Sequence, residues 1–407
     1  MNKFPRSAYV HIPFCHRRCF YCDFAVIPLG NKVEPLEGYG SKTVKEYLHF
    51  LYKEILSIKH KSPLSTIYLG GGTPSILDPK QIKELIDIFK DNYGVDYGAE
   101  ITMEVDPASF NQDDLYGFIN AGINRFSLGV QSFNNQILEN SGRRHLREDA
   151  EKSCLWMKRV YDYGLIKSWS LDLIQNLPLS GFKEWQDDLK KALTFLPPHI
   201  SIYDLNIENG TVFEKLINLG KLKLPSDEIA FRNSESTHLI LKKSGYSRYE
   251  ISSYCLPRHQ SRHNRVYWSG LGWWSFGQGS TSSPWGEKLT RPRISKEYKE
   301  WVIRQYELNL ESSLINVNFV YKELDEKIML GLRLKEGIDI YDLMKEQNWE
   351  DKKFKTNFSK LLKEWDRFIE SGLLMRKGNR FFLSDPRGME LSNQILISMF
   401  KWWDEIN

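Results

Sequence analysis

Residues 7–24 read SAYVHIPFCHRRCFYCDF, a short apolar run that ends in three cysteines, Cys15, Cys19 and Cys22. The run predicts a buried strand, and the thiols follow directly at its carboxyl end. Three of the chain's five cysteines therefore fall within eight positions. Thiolates spaced Cys-x3-Cys-x2-Cys suit soft ions, and zinc and an iron–sulfur cluster are the two candidates. A closed structural zinc site takes four ligands, so His11 or His16 would have to join the cysteines. A cubane has four iron corners, and three cysteines leave one corner open for a reacting ligand.

Outward from this stretch the pattern repeats. Up to about residue 208, short apolar runs alternate with amphipathic helical stretches, the pattern of a parallel sheet covered by helices. The strands are SAYVHIPF, TIYLGGG, EITMEVDP, RFSLGVQSF, SWSLDLIQN and HISIYDLNIE. Val44, Tyr47, Leu48, Leu51, Ile55 and Ile58 keep a helical period between the first two. Asp78 and Pro79 open the next helix with cap and first-turn chemistry. Six units are too few for a closed eight-fold barrel and fit a curved, partly open (β/α)6 barrel. Working residues are then expected at the carboxyl ends of the strands, where Cys15, Gly70 to Pro74, Glu104, Gln131, Asp172 and Glu208 fall.

The bulk properties exclude several classes. With 407 residues, 41% hydrophobic and 27% charged, the chain reads as a soluble globular protein of more than one small core. No segment approaches a membrane span and the N-terminus lacks a signal peptide's apolar stretch, so a cytoplasmic protein with reduced thiols is expected. The net charge of +4 gives no footprint for nucleic acid. Residues 1–208 are expected to form the barrel and 209–314 an extension with a long aromatic loop. Residues 315–407 form a mainly helical, winged-helix-like module with a hairpin around Gly378 and Asn379. From residue 317 onward, 16 Lys and Arg stand against 16 Asp and Glu, a net charge of zero that argues against DNA. Trp402 and Trp403 are a candidate contact for a membrane surface, with core packing the alternative.

The three-cysteine spacing near the start of a partly open barrel resembles the signature of the radical S-adenosylmethionine (SAM) superfamily, and further motifs recur in order. GGGTP (70–74) resembles the loop whose backbone approaches the SAM amino group, with Gly71, Gly72 and Thr73 at its centre. MEVDP supplies Glu104, SLGVQSF Gln131, SGRRH Arg143 and SLDLIQNLP Asp172. The resemblance implies a 4Fe-4S cluster on Cys15, Cys19 and Cys22, and SAM at its open iron. Glu104 would pair with the SAM ammonium, Arg143 with its carboxylate and Asp172 with its ribose, while Tyr9 and Tyr21 pack nearby.

Across the whole chain the resemblance narrows to the oxygen-independent coproporphyrinogen III dehydrogenases and their relatives, the HemW-type heme chaperones. Phe24 stands where the dehydrogenase pattern carries a fourth cysteine, and RHNRVYW (262–268) resembles the chaperones' His-Asn-x-x-Tyr-Trp element. Both choose the chaperone branch. Heme is then implied as cargo, with His263 as candidate axial ligand flanked by Arg262 and Arg265 and walled by Tyr267, Trp268, Trp273 and Trp274; His259, Cys255 and His145 are rival ligands that spacing does not separate from it. The implied partners are acceptor hemoproteins, respiratory ones first, and an electron donor such as a flavodoxin or ferredoxin. The alternative is the enzyme, oxidative decarboxylation of two propionates in porphyrin biosynthesis. Two stretches depart from the family pattern: Gln175 and Asn176, where an aromatic or small residue and glycine are usual, and SFGQGSTS (275–282).

Overall fold

The computed structural model describes residues 4–30, 41–58, 61–307 and 323–406. The chain divides into two compact units. One comprises the residues up to Asn233 and the segment that begins at Gly272; the other comprises Ser234–Leu271 and the chain beyond residue 320.

In the first unit the six expected strands all form: β1 (Ser7–Ile12), β2 (Leu64–Gly71), β3 (Val95–Val105), β4 (Arg125–Gln131), β5 (Ser168–Gln175) and β6 (His199–Asp204). They lie in parallel in sequence order, with Ser7 opposite Thr66 and Ile12 opposite Gly71 at one end, and Ser170 opposite His199 at the other. A seventh strand, β7 (Trp274–Phe276), adds in parallel to the free edge of β1, with Ala8 opposite Trp274. The sequence reading placed this segment in a loop and used Trp273 and Trp274 as heme walls. Trp274 is instead 2% exposed in β7, its ring edge-on to Trp285. The result is a parallel, partly open barrel.

The longer helices between strands are α1 (Lys42–Ser57), α2 (Pro79–Tyr93), α3 (Gln112–Ala121), α4 (Arg147–Asp162) and α5 (Phe182–Thr194). Local chemistry starts and stops them. Asp78 accepts from the Lys80 N–H at 2.8 Å while Gln81 accepts from the Asp78 N–H at 3.0 Å, closing a capping box ahead of Pro79. Asp78→Ala should cost about 1 kcal/mol of stability, read as a lower midpoint in urea.

The strands alternate with period two. Ala8, Val10, Ile67, Leu69, Ile101, Met103, Phe126, Leu128, Leu171 and Leu173 are buried and apolar on one face. Tyr9, Tyr68, Glu104, Ser127, Asp172 and Ser201 share the other. That second face lines a polar lumen, so β5, buried at every position, reads Ser-Trp-Ser-Leu-Asp-Leu rather than as a continuous apolar run. Beside β7, the buried Glu54 of α1 accepts from Arg291 Nε at 2.8 Å, from the Tyr298 hydroxyl at 2.7 Å and from the Gly277 N–H at 2.8 Å. This network ties the SFGQGSTS stretch to α1.

The second unit contains an antiparallel pair (Ser247–Glu250 and Ser253–Cys255), the short helix Arg262–Trp268 and a helical module. The module's three-stranded sheet joins Ile338–Asp339 to the hairpin Leu374–Lys377 and Arg380–Leu383. Helices Leu324–Leu332, Asp351–Glu370 and Ser392–Ile406 pack around Leu361, Trp365, Phe381, Met399 and Trp402. This is the expected winged-helix-like arrangement. Trp402 is fully buried and its indole N–H donates to the Asn357 carbonyl at 3.0 Å, while Trp403 packs against the same core. Packing, one of the two uses expected for the pair, is thus what the fold gives Trp402, and Trp403 is half-buried beside it. Among the described residues, no helix is long and apolar enough to cross a membrane.

Candidate functional site

The strand ends of the first unit converge on a cavity of about 340 Å³ lined by Cys15, Cys19, Tyr21, Cys22, Gly71, Gly72, Thr73, Glu104, Gln131, Arg143 and Asp172. Eight residues that the sequence scatters over about 150 positions meet there with the three thiols. Three expected residues, Gly70, Tyr9 and Glu208, do not line it. Tyr9 stacks behind the wall on Tyr68, ring centroids 6.0 Å apart, and its hydroxyl bonds His11 Nδ1 at 3.2 Å. Glu208 is exposed on the loop after β6, and Tyr203 occupies the cavity rim instead.

The cysteine loop leaves β1 and returns as a second, two-residue parallel pair, Phe14 opposite Ile27 and Cys15 opposite Pro28. The Cys22 N–H donates to the Cys19 carbonyl at 3.2 Å, turning the loop back on itself. Glycine is required where β2 passes this loop. At Gly71 φ is +117° and a Cβ would lie 2.8 Å from the His11 ring; at Gly72 it would lie 2.6 Å from the Phe14 carbonyl oxygen and 2.9 Å from Cys15 Sγ. Gln131 ends β4 at φ +68°, beyond a register shift that turns its side chain into the cavity.

The charged groups are fixed by neighbours that sequence patterning missed. Glu104 accepts from the Tyr68 hydroxyl at 2.9 Å and from the Gly71 N–H at 3.1 Å. Its desolvation in the cavity wall nevertheless pushes its carboxyl up to about 7, with Asp172 adding repulsion. Asp172 accepts from Ser127 and Ser170 at 2.6 Å each, and burial raises its carboxyl as well. Ser170 Oγ in turn contacts His199 Nδ1 at 2.8 Å and Ser201 Oγ at 3.0 Å, a chain of polar groups inside the lumen. Arg143 ion-pairs with Asp106, donates to the Gly129 carbonyl at 2.9 Å and reaches Cys19 Sγ at 3.5 Å. Burial opposes ionisation of Asp106, but Arg143 and His145 hold its carboxyl well below the usual range. Asp106 lay within MEVDP, and the serines lie at period two from Asp172 and Gln131. Strand alternation was the signal that could have found them.

Soft-ion chemistry fits this donor set. Burial pushes the Cys15 thiol up to about 12 and raises that of Cys22, so thiolates there need a cationic partner. Thr73 Oγ1 and Arg143 Nη1 lie within hydrogen-bond reach of Cys15 and Cys19 Sγ, at 3.6 and 3.5 Å. Arg143 Nε is buried and has no hydrogen-bond partner, which leaves a donor for an anionic group of a ligand. Among the described residues, no three His, Cys, Asp or Glu side chains gather round one point as a single zinc ion would need, whereas a cubane takes thiolates at separate corners. Cys154, buried in α4, and Cys255 lie outside the cavity.

His263 belongs to the other unit. It is 1% exposed, and its Nε2 lies 2.8 Å from the Tyr267 hydroxyl.

A parallel, partly open barrel with three thiols and a glycine loop at its carboxyl face defines the radical SAM class, and that superfamily's model matches residues 9–169. The model of the HemN C-terminal domain matches residues 322–391. Among curated proteins, the heme chaperone HemW of Synechocystis sp. is 36% identical over 98% of both chains, and that of Lactococcus lactis is 31% identical over 96% of both. The chain belongs to the HemW-type heme chaperone family of the radical SAM superfamily. Among solved structures, the Escherichia coli coproporphyrinogen III oxidase HemN, a radical SAM enzyme, superposes with a TM-score of 0.77 over 97% of this chain and 90% of its own, at 22% identity. That likeness is one of fold. Membership of the superfamily implies a 4Fe-4S cluster and SAM, and the cavity's donors suit both.

Proposed function

We propose that this protein carries heme and delivers it to acceptor hemoproteins, with a 4Fe-4S cluster on Cys15, Cys19 and Cys22 and SAM in the cavity described above. The observation that carries the cofactor assignment is the convergence of the three thiols with Glu104, Arg143, Asp172, Gly71, Gly72, Thr73, Gln131 and Tyr21 on one cavity. Bound SAM would supply radical-generating chemistry at the open iron. The chain's part is to pair the ammonium with Glu104, face the carboxylate with Arg143 and accept the ribose hydroxyls at Asp172. Asp172 already accepts from two serines, so ribose has to share or displace them. Asp172→Ala should weaken SAM binding by about 1 to 3 kcal/mol, measured by anaerobic calorimetry.

Cargo rather than turnover is favoured by two features. Phe24, at the position of the dehydrogenases' fourth cysteine, stands 56% exposed and lines the cavity, where it offers no thiol. RHNRVYW forms a short helix outside the barrel unit and supplies the heme element around His263. Respiratory hemoproteins are the proposed acceptors and a flavodoxin or ferredoxin the electron donor, with the module from residue 315 onward docking a partner. The test has two arms on one reconstituted sample. Hemin-loaded protein should pass heme to an apo-b-type hemoprotein, and coproporphyrinogen III with SAM and a reductant should give no protoporphyrinogen. Formation of protoporphyrinogen without heme transfer would establish the enzyme instead.

A further inference from the structure

The helix Arg262–Trp268 satisfies its own polar groups in a way that bears on how it would meet iron. Ser261 caps it, its hydroxyl accepting from the Asn264 N–H at 3.2 Å, and the Ser261 N–H donates to the Tyr249 hydroxyl at 3.2 Å. Trp268 has the Arg333 guanidinium 5.5 Å from its ring centre, and its side chain hydrogen-bonds the buried Glu250 carboxylate. Arg265 pairs with Glu336. His263 and Tyr267, one helical turn apart, share a 2.8 Å hydrogen bond between Nε2 and the phenol oxygen, their rings edge-to-face at 87°.

We propose that Tyr267, not His263, is the axial ligand of the heme iron, and that His263 is the positioning residue that holds the phenol oxygen and takes its proton. The proposal rests on the reading of this chain as a heme carrier. Its ground is access. His263 is 1% exposed and its Nε2 already faces the phenol oxygen at hydrogen-bond distance, so iron could reach that nitrogen only by displacing Tyr267. Tyr267 is partly exposed, whereas His263 is buried. The anchored Trp268 and the capped helix start fix the turn from which Tyr267 projects.

The chemistry balances without a further reactant. As ferric heme binds, the iron–oxygen bond forms in place of a bound water, which leaves, the phenol O–H bond breaks, and the proton moves to His263 Nε2, a step that requires the Nδ1–H tautomer beforehand. Phenolate is an established heme ligand, and as a hard anionic oxygen it favours ferric over ferrous iron. Exposed Arg262 lies in the first turn of the same helix, a cation within reach for a propionate.

The test uses the full chain with its cluster, titrated anaerobically with hemin and read by resonance Raman excitation of the phenolate-to-iron charge-transfer band. Wild type should show that band. Tyr267→Phe should lose it and bind hemin about tenfold or more weaker, and Tyr267→His should convert the spectrum to nitrogen ligation, which a purely structural role would not do. His263→Ala should keep the band while binding about tenfold weaker. Dithionite reduction of bound heme should weaken wild-type binding and leave Tyr267→His less affected. If wild type and Tyr267→Phe give the same histidine-type spectrum and His263→Ala alters it, the ligand assignment is overturned while the heme-carrier reading stands. If wild type binds no hemin, the carrier reading fails and the ligand assignment falls with it.

Discussion

Serine in place of Cys15, Cys19 or Cys22 is expected to abolish the intact cluster, whereas Cys154→Ser and Cys255→Ser retain it. The reason is corner counting. A cubane with one iron reserved for SAM has three protein-held corners, and each cysteine of the loop supplies one. A serine oxygen is a poor ligand for these soft sites, and the loop holds no spare thiol, because Phe24 occupies the next candidate position. Cys154 is fully buried in α4, where burial raises its thiol and favours the neutral form. Anaerobic reconstitution followed by iron and sulfide quantitation reads the result directly. A full complement of four irons on Cys19→Ser, or its loss on Cys154→Ser, would remove the assignment.

The second large effect concerns Glu104. Only its ionised form can pair with the SAM ammonium, and the cavity wall holds its carboxyl near 7 before SAM arrives. SAM affinity should therefore be full above about pH 7 and fall as pH drops below it, approaching tenfold per pH unit, with one proton released on binding. The ammonium itself begins to lose its proton near pH 8, so the informative window is pH 6 to 7.5. Glu104→Gln should weaken binding at pH 7.5 by about 2 to 5 kcal/mol and flatten the profile. Calorimetry in two buffers of different ionisation enthalpy counts the proton. A flat wild-type profile with no proton release would move the ammonium to another partner.

These site assignments differ in how they became legible. The cysteine spacing, GGGTP and the strand-terminal Glu104, Gln131 and Asp172 could be picked out because each is a local signature at the end of a period-two run. The strands themselves, and the Asp78–Pro79 helix start, follow from alternation and cap chemistry that act over a few residues. Even the departure at Asn176 is explained locally, since it sits at φ +64°, a conformation asparagine tolerates nearly as glycine does.

What the sequence alone determined was thus the parallel barrel, the thiol loop and the site residues at the strand ends, all consequences of short-range patterns. Only the tertiary structure decided the partners. Trp274–Phe276 became a strand because the free edge of β1 was there to pair with it, some 260 residues away in the chain. Arg143 turned toward Cys19 because Asp106 from another strand end holds its guanidinium, and Trp402 went into a core because Asn357 and the facing helix could cover it. His263, a plausible ligand by composition, lies buried against Tyr267. Contacts of this kind close between residues whose separation in sequence carries no pattern, so they exist only once the chain has folded.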